Sequence, residues 1–433
     1  MDGRALRERI ERARKQGVRG VELLWSRETG NELGIHRGRV TPVEVAPREH
    51  LEVRLWLEGG RYGGAAGLPD DADALLDAAS TRAGSAPEDP HGGPVARQAG
   101  TLGGLGVLDR RYDQVTLDDR VEVVTTAERA VRQVDRRLAA SGFGYRDRLR
   151  VRRFANSRGV LLEETDSTYH TSGTVSVSVH GDEIALTDTV DARTFASIAS
   201  LPYGTNLARR AVDLLQPAVP LAGPVRVMLP PLPVARLFAA LAERFDAEAT
   251  LFLTRRADGA PAVDPRLHLQ DDGTLPGGLR STSFDDRGVC PIPLTLLKEG
   301  RVDGRFVGPS LAHRHDLLPT GHVFGDRNRP TNLLLRSGTR SMNATLADLG
   351  QQVLIVDDLP NLERDVDFAT GALDTRVHGV VVEGNRPIGA VRNLRLTGDL
   401  TAVLGAVVEV CSDTDRIGHV DAPGMILDGL IAG

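Results

Sequence analysis

The chain is short of cysteine, aromatics and lysine and has no long apolar run, and each shortage removes a class of protein. Only Cys290 and Cys411 are present among 433 residues, too few for a disulfide framework and in keeping with a reducing compartment. The longest mostly apolar stretch, residues 400–410, is interrupted by Thr401 and Glu409 and is too short to span a bilayer. The opening Met1-Asp2-Gly3-Arg4-Ala5-Leu6-Arg7-Glu8-Arg9 enters a charged amphipathic pattern without the apolar core of a secretory signal, so a cytoplasmic protein is expected. Nearly all positive charge is arginine, with Lys15 and Lys298 the only lysines. A net charge of -6 offers no concentrated basic face to displace counterions from a nucleic acid, and no nucleic-acid partner is expected. What remains, 41% hydrophobic and 26% charged residues, is the composition of an ordinary globular protein with length for more than one core.

Residues 5–16 place Leu6, Ile10 and Ala13 at helical spacing ahead of Gly17, a left-handed cap. Strand segments follow at 21–25, 34–36 and 44–45. Residues 51–57 alternate strictly, and the Gly59-Gly60 turn leads into a returning strand over 61–67. Helical periodicity over 70–83 and 117–140 flanks a Gly/Pro-rich segment, 84–106, that carries no periodic pattern. Beyond Gly142 the pattern predicts strands at 149–155, 160–164 and 174–179, then a helix at 206–215 closed by Pro217 and Pro220. Next come strand 225–229, helix 234–245, strand 250–254, and short strands and turns to the end. Strand follows strand without crossover helices, so the class is α+β with antiparallel strands and not a doubly wound sheet. The divisions expected are residues 1–100 as an N-terminal α+β subdomain, 101–220 as a helix plus antiparallel-strand subdomain, and 221–433 as a mainly β domain.

Few segments carry chemistry. Gly100 to Gly106 is glycine-rich, but Asp109-Arg110-Arg111-Tyr112 follows where a dinucleotide fingerprint needs a helix. No Gly-x-Ser-x-Gly, Walker or Cys-x-x-Cys pattern occurs. The helix over 234–245 carries one apolar stripe, Val234, Leu237, Phe238, Leu241 and Phe245, and no histidine. Phe284-Asp285-Asp286-Arg287-Gly288 holds adjacent carboxylates that point to opposite sides of an extended segment, which makes a poor acid/base pair. The plainer reading is a turn whose aspartates accept backbone N–H bonds. His313, His315 and His322 form the one histidine cluster. On a strand a His-x-His pair turns both rings to one face, where a third histidine with Cys411 or Asp316 would complete a metal site; the alternative is a polar loop facing a cleft.

Gly277-Gly278-Leu279-Arg280-Ser281, Phe284-Asp285-Asp286-Arg287-Gly288, the Lys298-Glu299-Gly300 turn and Pro319-Thr320-Gly321, in that order and spacing, resemble the TldD/TldE family, also called PmbA and once described as modulators of DNA gyrase. Gly379-Val380-Val381-Val382-Glu383-Gly384-Asn385 and the terminal Leu427-Asp428-Gly429-Leu430-Ile431-Ala432-Gly433 extend the likeness, which is diffuse over 18–67 and firm from about 277 onward. The resemblance implies an α+β N-terminal region, a mainly β C-terminal domain, and a dimer around an internal cleft. It also implies a two-subunit zinc peptidase in which the TldD chain carries a His-Glu-x-x-x-His helix and the TldE chain does not. Ala239, Ala240 and Arg244 stand in the corresponding region here, and none can ligate zinc.

The expectation is therefore a non-catalytic TldE-type subunit with no catalytic residue or metal of its own. Zinc would sit in a TldD-type partner, and the substrate would be unfolded or short peptides or an amide intermediate of a biosynthetic pathway. Arg287, His313, His315 and His322 are the candidate cleft residues; Arg287 stands where the family usually has glutamate, and Pro319 and His322 also depart from the pattern. TldD-type chains carry a zinc cysteine near the position of Cys411, which without histidines to share the ion is read as a buried apolar residue. Two other readings stand beside this one: a self-sufficient homodimeric hydrolase with metal on His313, His315 and His322, and a non-enzymatic binding protein. Homodimerisation in the absence of a partner is also expected to be open to this chain.

Overall fold

A computed structural model describes the chain except at residues 37, 38, 44, 97–102, 180, 250 and 255–260. The expected strand at 44–45, the glycine-rich run 100–106 and the expected strand 250–254 each fall partly outside the described residues.

The N-terminal half is built on one antiparallel sheet. Helix α1 (Gly3–Lys15) starts where the Asp2 side chain accepts the Ala5 N–H at 2.8 Å, and it buries Leu6, Ile10 and Ala13. Strands β1 (Gly20–His36), β2 (Arg39–Val43), β3 (Arg48–Trp56) and β4 (Tyr62–Gly67) follow, then helices α2 (Ala72–Ser85) and α3 (Leu117–Val134), and strands β5 (Leu138–Asn156), β6 (Leu161–Val179) and β7 (Asp182–Ala192). Seven strands run in the order β4-β3-β1-β5-β6-β7, with β2 on the far half of β1. Strands from both sides of the 84–106 segment thus join in one sheet, because β1 pairs with β5 from Glu22–Asn156 to Ile35–Phe143. Helices α1 and α2 cover one part of it, burying Leu23, Val53 and Leu55. Helix α3, with α4 (Phe195–Ser200) and α5 (Tyr203–Asp213), covers another, over Tyr145, Tyr169 and Val175.

Two expectations are corrected here. The helix expected over 117–140 stops at Val134, and β5 has begun by Leu138. The strands expected at 160–164 and 174–179 are one continuous strand, β6. Its middle looked polar because several of its buried positions hold Glu164, Asp166, Ser167 and Thr171, which are satisfied by distant partners and not by apolar burial.

The C-terminal half forms a second sheet from β8 (Gly223–Leu229), β9 (Leu269–Asp271), β10 (Leu294–Lys298), β11 (Arg301–Val302), β14 (Leu333–Leu335), β15 (Gln352–Val356), β16 (Val366–Asp367), β17 (Ala372–Glu383), β18 (Arg386–Asp399), β19 (Val407–Ile417) and β20 (Val420–Ala432). Between β11 and β14 lies the short hairpin β12 (Val323–Phe324) and β13 (Arg327–Asn328). The path β20-β18-β17-β15-β8 returns to β20 through β8–β20 pairing, so these five strands close into a ring. Helices α6 (Pro231–Ala242), α7 (Pro309–His315), α8 (Met342–Leu349), α9 (Leu362–Asp365) and α10 (Leu400–Gly405) decorate it. The expected strand 250–254 is replaced, in its described part, by a 3-10 turn over Phe252–Thr254. Leu251, Phe252 and Leu253 are all buried there, so a short apolar run lacked the length that separates a strand from a packed turn.

Candidate functional site

Helix α6 begins with Pro231 at its first position, where a missing N–H costs nothing. Val234, Leu237, Phe238, Leu241 and the following Phe245 are 0–3% exposed, as the stripe predicts, and each contributes about 1.5–3 kcal/mol of apolar burial. The remaining side of the helix carries Arg236, Ala239, Ala240 and Glu243, at the spacing of one helical face. These four line a cleft of about 430 Å³ whose other walls include Arg280, the segment from Leu359 to Arg364, and His419.

The polar groups around this cleft are unevenly satisfied. Arg236 lies 3.3 Å from Asp358 and 3.6 Å from Asp188. Arg280 donates to the Pro330 carbonyl at 3.0 Å and stands 4.0 Å from Glu243. Glu243 Oε2 is buried without a hydrogen bond, 3.9 Å from Arg327. His419 sits in the turn between β19 and β20, and its buried Nε2 has no hydrogen-bond partner either. Burial, reinforced by Arg280, pushes His419 well below its ordinary pKa, so the ring is neutral at pH 7. Such a cleft can hold polar groups of a ligand. Ala239 and Ala240 present methyls, which cannot ligate a metal or move a proton. Among the described residues no three His, Cys, Asp or Glu side chains come together to hold a metal.

The glycine-rich stretch from Gly277 onward has a different task, joining the two sheets. Arg193, at the end of β7, donates to the carbonyls of Gly278 at 3.0 Å, Leu279 at 2.6 Å and Ser281 at 3.1 Å. Arg152 on β5 donates to Glu164 at 2.8 Å, to the Phe284 carbonyl at 2.9 Å, to Asp286 at 3.0 Å and to Thr282 Oγ1. Glu164 in turn accepts from Ser283 Oγ and Thr282 Oγ1, each at 2.7 Å. Burial pushes the Glu164 carboxyl up, but Arg152 and these donors outweigh it and hold the group below its usual range. The turn reading of Phe284 to Gly288 holds: Asp285 accepts from the N–H groups of Arg287 and Val289 at 2.9 Å and of Val323 at 3.0 Å. Its complete burial nonetheless raises its pKa to about 6.

The histidines do not meet as a His-x-His strand would have them. Residues 309–315 form helix α7, on which residues two apart point roughly 200° from each other. His313 donates through Nδ1 to the His91 carbonyl, and His315 lies exposed at the end of that helix. His322 is fully buried, with Nε2 2.8 Å from Asp271 and its ring stacked on Phe306 at 4.5 Å. Arg287 is ion-paired with the buried Glu22 at 3.0 Å, so its charge is balanced within the chain. Cys411 is buried among Met228, Leu346, Val353 and Ile426, and burial pushes its thiol up to about 11. Arg280, Glu243 and His419, three of the polar residues of the α6 cleft, were not singled out from the sequence. Arg280 lies inside the quoted motif; nothing in the sequence ties His419, about 140 residues away, to it.

Two sheets, one closing into a ring around which a short helix presents a cleft, define an α+β protein of the TldD/PmbA fold. Residues 222–433 match the PmbA/TldA metallopeptidase C-terminal domain and residues 110–215 match the PmbA/TldA metallopeptidase central domain. The chain belongs to the PmbA/TldD family. Among solved structures it is similar to a candidate modulator of DNA gyrase from Thermotoga maritima, with a TM-score of 0.87, 18% identity and 99% of each chain covered. A second candidate modulator, from Bacteroides thetaiotaomicron, gives 0.85 at 16% identity over 99% of this chain and 97% of that one. TldE from Thermococcus kodakarensis gives 0.84 at 16% identity over 99% and 100%. No curated protein sequence matched the chain.

Proposed function

We propose that this chain is the non-catalytic, TldE-type subunit of a two-chain zinc metallopeptidase that hydrolyses amide bonds in unfolded or short peptides or in a biosynthetic intermediate. The observation that carries the reading is the cleft face of α6, where the family's peptidase chain would need imidazoles and a carboxylate around one ion and this chain presents Ala239 and Ala240. A TldD-type partner would supply the zinc, the general base and the polarised water. This chain would supply a wall of the shared chamber, including the Arg236–Glu243 cleft, and with it selection among substrates. Its solved likeness to a TldE supports the fold of such a subunit.

The test is amide hydrolysis of unfolded peptides by this chain alone, by a TldD-type chain from the same genome alone, and by the mixture, with zinc measured in each. Activity confined to the mixture, with zinc following the partner, is expected. Stoichiometric zinc and activity in this chain alone would overturn the proposal.

A further inference from the structure

Two of the arginines around the α6 cleft are answered within the chain. Arg236 has Asp358 and Asp188, and Arg364 of α9 has Asp365 at 3.1 Å. Glu243 and Arg280 are left open. Glu243 Oε1 stands 4.0 Å from Arg280 Nη1, and its Oε2 stands 3.9 Å from Arg327 Nη2, both beyond hydrogen-bond reach. Oε2 is sealed in, so the carboxylate meets the cleft through Oε1. Arg280 commits one Nη1 hydrogen to the Pro330 carbonyl; its other side-chain N–H groups have no acceptor among the described residues, and its side chain is 42% exposed.

A carboxylate whose side chain is only 19% exposed and that accepts no hydrogen bond calls for a donor from outside the chain. Ala239 and Ala240 lie one turn earlier on the same helix face, and their methyls leave the space before Glu243 open. The cleft they share, about 430 Å³, has the size of a small-ligand pocket.

Charge decides what fits between Glu243 and Arg280. An ammonium drawn to Glu243 would also meet Arg280 and Arg327, and a carboxylate drawn to Arg280 would meet Glu243. An uncharged primary carboxamide carries a donor and an acceptor side by side. Its nitrogen and oxygen, joined to one carbon by bonds of about 1.33 and 1.23 Å, lie roughly 2.2 Å apart. Across the 4.0 Å gap each of its hydrogen bonds leans outward by about 0.9 Å over a length of about 2.9 Å, which keeps both near linear. A main-chain trans amide cannot make the same bridge, because its N–H and C=O point to opposite sides.

We propose that Glu243 and Arg280 bind a primary carboxamide of the substrate, from an asparagine or glutamine side chain or an amidated C-terminus. Its NH2 donates to Glu243 Oε1 and its carbonyl accepts from Arg280. The inference deepens the proposed function and rests on it only in taking a peptide as the carrier of the carboxamide. The pair then selects which residue is held against this wall of the chamber.

The experiment is isothermal titration calorimetry on the full chain with blocked tripeptides, acetyl-Gly-X-Gly-N-methylamide, where X is Gln, Asn, Glu, Lys or Leu. A Leu peptide ending in a primary amide separates the amidated C-terminus from the side chains as the source. A carboxamide-bearing peptide should bind more tightly than the Glu, Lys and Leu peptides by about tenfold or more. Glu243→Gln, which leaves Arg280 without a facing carboxylate, should turn the preference to the Glu peptide. It should not lower the melting temperature, because the carboxylate it removes accepts no hydrogen bond. Ala239→Leu fills the cleft without touching either polar group and should weaken carboxamide binding by about tenfold or more. No carboxamide binding by wild type, equal binding of every peptide, or an unchanged preference in Glu243→Gln would overturn the assignment. So would a clearly lower melting temperature in Glu243→Gln, since Glu243 would then be a structural ion-pair partner. Selective binding with no hydrolysis in the two-chain mixture would refute the peptidase reading and leave the carboxamide site standing. Hydrolysis in the mixture with no such selectivity would do the reverse.

Discussion

Replacing Arg152 by methionine removes a guanidinium that is 2% exposed and leaves Glu164, itself 7% exposed, as a buried carboxylate without its counter-ion. Four acceptors each lose one donor together: Glu164, Asp286, Thr282 Oγ1 and the Phe284 carbonyl. Breaking a buried ion pair by removing one partner costs about 3–5 kcal/mol. At roughly 2.1 cal/mol/K per residue a chain of this length unfolds with about 0.9 kcal/mol/K, so calorimetry should show a melting temperature lower by about 3–5 °C. Adding Glu164→Gln removes the stranded charge, and the double variant should be more stable than the sum of the two single changes by about 1–3 kcal/mol. The pH dependence gives a second check. Glu164 titrates in the folded protein below its unfolded value, so its stabilisation is present above about pH 4.3 and is lost as pH falls through the folded pKa. The gap between wild type and Arg152→Met should therefore narrow in acid. A loss under about 1 kcal/mol at pH 7, or strict additivity in the double variant, would show that the pair does not dock the 277–287 loop onto the N-terminal sheet.

Asp285 has the opposite sign: burial raises its folded pKa to about 6, so its contribution is present below its unfolded value near 4 and is lost as pH rises through 6. The stability gap between wild type and Asp285→Asn, followed by denaturant titration, should narrow by about 3 kcal/mol from pH 4 to pH 7, and a gap constant with pH would refute it. His322→Phe keeps a ring against Phe306 but takes from Asp271 one of its donors, leaving those of Thr331; calorimetry should show a loss of about 1–3 kcal/mol with zinc content unchanged. Cys411, with its thiol pushed up to about 11 by burial, should stay unmodified by a disulfide reagent at pH 8 for as long as complete reaction takes in guanidinium; fast native reaction would place it at an accessible site.

The parts of the fold that were legible in the sequence are those whose determinants lie close together along the chain. The α6 stripe, the β3–β4 hairpin with its Gly59-Gly60 turn and the Asp285 turn each depend on residues within one or two turns of backbone. What escaped depends on partners far away. Glu164 and Asp166 made β6 look broken because their partners include Thr282 and Ser283, more than 100 residues on, as well as the arginines of β5. A signal for the latter was present: Arg148, Arg150 and Arg152 recur at the two-residue period of a strand, and Arg150 and Arg152 fall opposite Asp166 and Glu164 in the β5–β6 register. The histidines show the contrary case: His313, His315 and His322 are close in sequence but have separate surroundings, and Pro309, well placed for a first helical position, is the mark that α7 turns His313 and His315 apart. The motif that carried the family likeness bridges the two sheets, and its arginine, Arg280, reaches the α6 cleft from that bridge. Docking and cleft are thereby coupled: a change that loosens the loop from Arg193 or Arg152 should also move Arg280 relative to Glu243 and His419. The residues that make the family recognisable thereby also shape the α6 cleft, in a chain whose α6 carries no zinc ligand.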